Sequence, residues 1–247
     1  MYLIISDLHG NNDAFKAILE KAHHDYDIQG YGILGDMFTL GPSPVEIFEI
    51  IMKLENMFFI HGNHEDYLYD EIHRYPDRQI GSFQIGSDLC RRVRSSLKRT
   101  FNSLGRSRVD QIKNLTIDEK HLSINKIHHY FCHGREDSNR RGVSSLEAKE
   151  YIKDFKKDYF WAGHMHHQFM EDCGNKYFVN PGGSGLPFDG DPAAPYAIIK
   201  TDGSVKLERA SYSREPLYQK LDETEDEFIP ILRGHIKESV LIKVKNI

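Results

Sequence analysis

The chain has 247 residues, a formal net charge of −5 and three cysteines, and its apolar content is broken at regular intervals. It is long enough for one full-sized α/β domain or two small ones, its acidic balance argues against a general nucleic-acid coat, and no apolar run approaches a membrane span. Cys90, Cys132 and Cys173 show no C-x-x-C spacing, so neither a disulfide scaffold nor a cysteine-zinc site is expected, and with no secretory signal ahead of the first strand a cytoplasmic location fits.

The N-terminal half alternates strand and helix. Tyr2–Ser6 reads as a strand that delivers Asp7-Leu8-His9. Asn11 or Asn12 then caps a helix whose apolar face is Phe15, Ile18, Leu19 and Ala22, at helical spacing. Tyr31–Leu34 is the next strand and leads into Gly35-Asp36. Ser43-Pro44-Val45-Glu46 reads as a capping box with Pro at the first helical position, followed by Ile47, Ile50, Ile51 and Leu54 on one face. Met57–Ile60 is a third strand, ending at Gly62-Asn63-His64-Glu65. Such alternation with short links predicts a mainly parallel sheet with right-handed crossovers.

Residues 67–114 read as helical and polar, with Leu89, Val93 and Leu97 as a buried stripe. Ile127–Cys132 is a strand ending at His133. Ser144-Ser145-Leu146-Glu147 is a second capping box, and Tyr159–Ala162 is a strand ending at Gly163-His164-Met165-His166. Lys176–Asn180, Tyr196–Lys200 and Val205–Arg209 read as strands of a second, more antiparallel sheet. With no Pro/Gly/Ser-rich linker and no internal repeat, one domain over 1–247 is the simplest organisation, with a core over 1–209 and an extension over 210–247. In that tail an acidic stretch, Asp222–Glu227, precedes Phe228–Leu232, and the alternation of Val240, Ile242 and Val244 suggests an edge strand able to pair with another subunit.

Five polar signatures therefore each follow a predicted strand, and in parallel α/β sheets the carboxyl ends of the strands are where ligands gather. Their side chains are carboxylates, imidazoles and an amide with no thiolate, a set that suits Mn, Fe, Zn or Ni. Taken singly, Asp-x-His and Gly-Asp are common and usually mean nothing; the conjunction in one order is what points to a metal site. Asp7 and His9, like His164 and His166, are two apart, which in an extended segment puts both side chains on one side. Glycines at 10, 35, 41, 62, 134 and 163 are expected to let the backbone turn beside them.

The combination D-x-H, G-D, G-N-H-[DE], H and G-H-x-H over residues 1–209 resembles the calcineurin-like metallophosphoesterases, and within them the small prokaryotic phosphodiesterase-like branch. The opening Ser6-Asp7-Leu8-His9-Gly10-Asn11, Gly41-Pro42-Ser43-Pro44 and the segment Asn180–Pro187 point to that branch. Met165 departs from the small polar residue more usual there. The resemblance implies a four-layer α/β-β-α sandwich with two mixed sheets. It also implies two divalent ions, Mn foremost with Fe, Zn, Ni or Mg as alternatives. Asp7, His9, Asp36 and His166 would hold the first and Asp36, Asn63, His133 and His164 the second. His64 would be the catalytic proton or hydrogen-bond donor. The implied reaction is phosphoester hydrolysis by a metal-bridging hydroxide attacking in line, on a small phosphorylated substrate, with no nucleic-acid complex and no membrane. A diester preference comes from the resemblance alone. A phosphomonoesterase or a dinucleotide polyphosphate hydrolase is the alternative, and a protein phosphatase ranks low because no arginine follows Gly35-Asp36. A non-catalytic protein-binding scaffold of the same fold is disfavoured because every expected ligand is present.

Other features carry two readings each. His61, His128, His129 and His167 are expected outside the ligand set or at the surface. Glu65 either orients a neighbour or caps its helix. Gly182-Gly183-Ser184-Gly185 is a tight turn or a phosphate cradle. Arg91, Arg92, Arg94, Lys98, Arg99, Arg106 and Arg108 form a solvated helix face or overhang the cleft.

Overall fold

In the computed structural model, which describes residues 1–240, the chain opens as β1 (Tyr2–Ile5), α1 (Asn12–Asp25), β2 (Gly30–Ile33), α2 (Pro44–Ile51) and β3 (Met57–Ile60). It continues through α3 (Asn63–Tyr69), a 3-10 turn at Ile72–Arg74, α4 (Asp88–Leu115), β4 (Thr116–Ile117), β5 (Lys120–Ile124) and β6 (Ile127–Phe131). Then come α5 (Ser145–Tyr151), β7 (Tyr159–Trp161), β8 (Gln168–Asp172), β9 (Tyr177–Pro181), β10 (Ala194–Ile199) and β11 (Val205–Ala210), with α6 (Glu215–Asp222) and α7 (Ile229–Glu238) last.

Two mixed sheets face each other, with strand orders β11-β10-β1-β2-β3-β4 and β5-β6-β7-β9-β8. Strand alternation sorts the core. Leu3, Ile5, Ile33 and Phe59 point to one side, onto Phe15, Ile18, Ile47 and Ile51 of α1 and α2. Ile4, Phe58 and Ile60 point to the other, onto Phe131, Trp161 and Val179 of the second sheet. The outer face of that sheet, with Tyr130, Phe160 and Phe178, is covered by Ala148 and Ile152 of the α5 segment. This is the expected four-layer helix–sheet–sheet–helix order. A further apolar cluster joins Val93 and Leu97 of α4 to Leu217 of α6 and Leu232 and Ile236 of α7.

The first three strands and the helices between them lie where the sequence places them, and Asn11 caps α1 by accepting from the Ala14 amide at 3.1 Å. Several expectations are corrected. Tyr196–Lys200 and Val205–Arg209 extend the first sheet, because β10 pairs antiparallel with β1 and β11 with β10; only the Lys176–Asn180 strand joins the second. Strands β5 and β8 are polar edge strands, so they lack the apolar run by which buried strands are read. Ser43 precedes its helix without forming a side-chain cap, whereas Glu147 accepts from the Ser144 amide and hydroxyl at the start of α5. The stretch 67–114 is not one helix: residues 75–87 are irregular, and Gly105, at φ +74°, breaks α4. The edge strand expected from Val240 lies, from residue 241 on, outside the described residues. Among the described residues no helix is long and apolar enough to cross a membrane.

His129 on β6 is buried between the sheets, stacked on Tyr159 at 4.8 Å and accepting the Trp161 indole N–H at 3.1 Å. Burial pulls its imidazole down from 6.5 to about 4. The folded state therefore binds fewer protons than the unfolded chain below pH 6.5, and stability falls as pH falls towards 4. His129→Gln, which keeps an acceptor for Trp161, is expected to escape this. Urea unfolding should show wild type losing about 2 kcal/mol relative to the variant between pH 7.5 and pH 5.

Candidate metal centre

The five signatures meet in one cleft at the carboxyl ends of β1, β2 and β3 in one sheet and of β6 and β7 in the other. Main-chain bonds fix their loops to one another. The Asp7 amide donates to Gly35 O, the His9 amide to Asp36 O, and the Gly163 amide to His133 O. Asp7, His9, Asp36, His164 and His166 all have left-handed backbones, with φ between +47° and +63°. That conformation is uncommon for non-glycine residues and clusters at functional sites. It replaces the extended geometry expected for the Asp7/His9 and His164/His166 pairs: left-handed residues two apart, not strand alternation, aim both side chains inward. Two glycines permit the close approach. A Cβ on Gly62 would stand 2.0 Å from Asp36 Oδ1, and one on Gly163 would stand 2.0 Å from Ser6 Oγ.

All seven expected ligands and His64 converge. His166 Nε2 lies 3.4 Å from Asp7 Oδ1 and 3.3 Å from His9 Nε2. Asp36 Oδ2 lies 3.8 Å from His9 Nε2 and 3.5 Å from His133 Nε2. Asn63 Oδ1 lies 3.3 Å from His133 Nε2 and 3.0 Å from His164 Nδ1. Three donor groups able to hold a cation result: Asp7–His9–His166, Asp36–His133–His164, and His9–Asp36–His64.

The far sides of these residues are anchored. His133 donates through Nδ1 to Leu34 O, and His166 through Nδ1 to Leu186 O at 2.7 Å. A ring that gives its Nδ1 proton to a carbonyl presents a bare Nε2 lone pair. Asp7 Oδ2 accepts from Ser6 Oγ at 2.6 Å and from the His164 amide at 2.9 Å, leaving buried Oδ1 without a hydrogen-bond partner. An orphaned carboxylate oxygen facing two imidazole nitrogens fits a cation in the gap between them.

The carboxylates and imidazoles of the cleft shift one another's protonation. Burial opposes ionisation of Asp7, but the charge of the facing His166, then that of His133, hold it at about 2. Asp36 is likewise pulled well below the usual carboxylate range against its burial, first by His133. His133 rises to about 10 because Asp36 outweighs its burial. His9 and His64 are pushed down by burial, and His164 to about 4 for the same reason.

Glu65 performs both roles open to it. Fully buried, it accepts from the Gly62 amide at 2.8 Å, capping the start of α3, and from the Asp36 and Met37 amides at 2.6 and 2.9 Å. Burial, then the charge of Asp36, lifts its carboxyl to about 7 while the three amides pull the other way. Glu65→Gln sets an amide NH2 against these N–H donors. It is expected to weaken metal binding about 10- to 100-fold, measurable by titration of the stripped protein with Mn2+.

The remaining features resolve towards structure. Gly182–Gly185 is a turn whose Ser184 and Gly185 amides donate to Ser6 O and Asp7 O. Most of the basic residues on α4 are not free. Arg94 binds the carbonyls of Ile72, Tyr75, Pro76 and Arg78. Arg99 bonds the buried Asp226 carboxylate and the carbonyls of Leu40 and Gly41. Arg91 and Arg106 pair with carboxylates. His61 bridges Asp66 and Asp118, and His128 pairs with Asp158. Met165 turns from the cleft towards Gly142. Two residues escaped the sequence reading. Thr39 Oγ1 lies 2.7 Å from His64 Nδ1 and 3.5 Å from His9 Nδ1. Arg140, over the Tyr67 ring, lines the cleft mouth with Asn63, His64 and His164.

Comparison with known proteins matches residues 1–204 to the calcineurin-like phosphoesterase superfamily domain. An uncharacterised protein of Methanocaldococcus jannaschii is 25% identical over 244 residues, 90% of this chain and 91% of that protein. A crystal structure of a metallophosphoesterase from Sphaerobacter thermophilus superposes with a TM-score of 0.71 at 22% identity, covering 97% of this chain and 98% of that one. A symmetrical bis(5'-nucleosyl)-tetraphosphatase of Baumannia cicadellinicola is 37% identical over 65 residues, 26% of this chain and 23% of that protein. The chain belongs to the calcineurin-like phosphoesterase superfamily, hydrolases of phosphoester bonds that use divalent metal ions.

Proposed function

We propose that this chain is a dinuclear metallophosphoesterase that favours phosphodiesters. Asp7, His9, Asp36 and His166 would hold one divalent ion, Mn2+ foremost, and Asp36, Asn63, His133 and His164 the other. The observation that carries the reading is Asp36, whose Oδ2 stands between His9 of one donor group and His133 of the next. When bound, such ions neutralise phosphate charge and lower the pKa of water enough to supply a nucleophile near neutral pH. Asp7 and Asp36 offset only part of the cationic charge, and Asn63 none, so an anion is attracted. His64 sits edge-on to His9 at 4.9 Å, placed to donate to the leaving or non-bridging oxygen.

The cleft walls support a diester over more highly charged esters. Arg140 is the single Lys or Arg side chain among the described residues lining the cleft and its mouth. A diester carries one negative charge; a monoester or polyphosphate carries more and calls for more cations. The partial likeness to a tetraphosphatase keeps dinucleotide polyphosphates in the test. Stripped protein should be assayed with Mn2+, Ni2+, Zn2+ or Mg2+ against phosphomonoesters, phosphodiesters, cyclic nucleotides and dinucleotide polyphosphates. The expected outcome is metal-dependent turnover with diesters ahead. Stoichiometric metal without hydrolysis of any ester would favour the scaffold reading instead.

A further inference from the structure

The cleft does not end at the metal-site donors. It continues into a cavity of about 330 Å3 whose other walls are almost entirely hydrocarbon. Leu89 and Val93 of α4 form one side and Phe228, Ile231 and Leu232 at the start of α7 another. Phe188 joins the two regions: its ring stacks on His166 at 4.4 Å and faces His235 at 5.7 Å. The size falls within the range of small-molecule sites. Most of the residues that build it come from the 75–98 segment and the C-terminal extension, with Leu40, Leu186 and Phe188 completing the walls.

The chemistry of the walls restricts what enters. Among the described residues lining the cavity, His235 is the one polar side chain beyond the metal-site donors. A nucleobase or sugar buried there would leave its amide, amine or hydroxyl groups without partners, at a cost of about 1–3 kcal/mol each. A second phosphate would meet no lysine or arginine among the described residues of these walls. Hydrocarbon loses nothing, and covering exposed apolar walls is favourable by about 0.8 kcal/mol per methylene buried.

Resting on the phosphoesterase reading, we propose that the substrate is a phosphoester of an apolar alcohol, its hydrocarbon body seated between α4 and α7 and its phosphate at the Asp36 cluster. Arg140, at the opposite mouth, faces the more polar substituent. The α7 extension then serves as a wall of the substrate site.

The test pairs binding with turnover on Mn2+-loaded protein. Calorimetric titration with methyl-, butyl- and octylphosphonate should give a Kd at least tenfold lower for octyl than for methyl. Hydrolysis of the methyl, butyl and octyl 4-nitrophenyl phosphate diesters should rise in the same order in kcat/KM, with thymidine 5'-(4-nitrophenyl phosphate) below the octyl ester. Ile231→Gln on the helix and Phe83→Ser on the facing loop, two half-buried positions where a polar group is tolerated, should each flatten the octyl-to-methyl ratio. Hydrolysis with no chain-length dependence, or with the thymidine ester preferred, would overturn the proposal while the phosphoesterase reading stands. Binding that strengthens with chain length but no hydrolysis would support the apolar site and overturn the reading on which it rests. Absence of both would sink the two together.

Discussion

Asp36→Asn is expected to cost the protein both of the proposed metal ions at once and to abolish turnover. The carboxylate is committed on each side. Oδ1 accepts the His64 amide at 2.9 Å, and Oδ2 faces His9 and His133. An asparagine must place its NH2 at one of these positions. On the Oδ1 side it meets a donor, and on the Oδ2 side it would face the proposed ions. Neither flip recovers the lost charge. Outer partners of ligands are worth about 10- to 100-fold in affinity, and a shared ligand should exceed that for both ions. Asp7→Asn is the control, because Asp7 Oδ1 faces His166 in one donor group only. Metal analysis after gel filtration should find near two ions in wild type, near one in Asp7→Asn and near none in Asp36→Asn, with circular dichroism unchanged. An Asp36→Asn protein that keeps two tight ions would refute the shared role.

The reason the centre was legible from sequence, while its surroundings were not, lies in how each is encoded. Asp7, Asp36, Asn63, His133 and His164 sit one to four residues past short apolar runs. In a parallel sheet that position alone brings them to one edge. The supports are encoded otherwise. Leu34 and Leu186 act through their carbonyls, which any residue supplies, so no side-chain pattern reveals them. Thr39 is an ordinary loop threonine until the fold sets it beside two imidazoles. Edge strands β5 and β8 have an exposed side and tolerate His121, Glu171 and Asp172, which hides them from a search for apolar runs. The arginines of α4 illustrate the opposite error. Their spacing reads as a wet face, yet Arg94 and Arg99 are staples whose carbonyl and carboxylate partners lie elsewhere in the chain. One signal was available for Arg140, a basic residue on the loop directly after His133. It gains meaning only when the loop folds back over Tyr67.

His64→Ala is the variant expected to separate chemistry from metal binding. The hydrogen-bond chain through Thr39 sets the protonation of the ring. If His9 ligates through Nε2, its Nδ1 carries the proton and donates to Thr39 Oγ1. The threonine hydroxyl then donates to His64 Nδ1 at 2.7 Å, and the His64 proton must reside on Nε2. Burial also pushes the His64 imidazole below its ordinary value, so in the proposed role the ring would act as a neutral donor whose direction is fixed before substrate arrives. A positioned donor of this kind is worth about 10²- to 10⁴-fold. Its removal should lower kcat by that order while metal content stays at the wild-type level. Thr39→Val breaks the relay without touching the ring and should cost less, mainly in kcat, with Thr39→Ser restoring it. A purely structural threonine would not show that rescue. The competing role is visible in the same geometry, because His64 forms a donor group with His9 and Asp36. Loss of an ion from His64→Ala would make it a ligand and would leave the donor to the leaving oxygen to be sought in Arg140 or solvent.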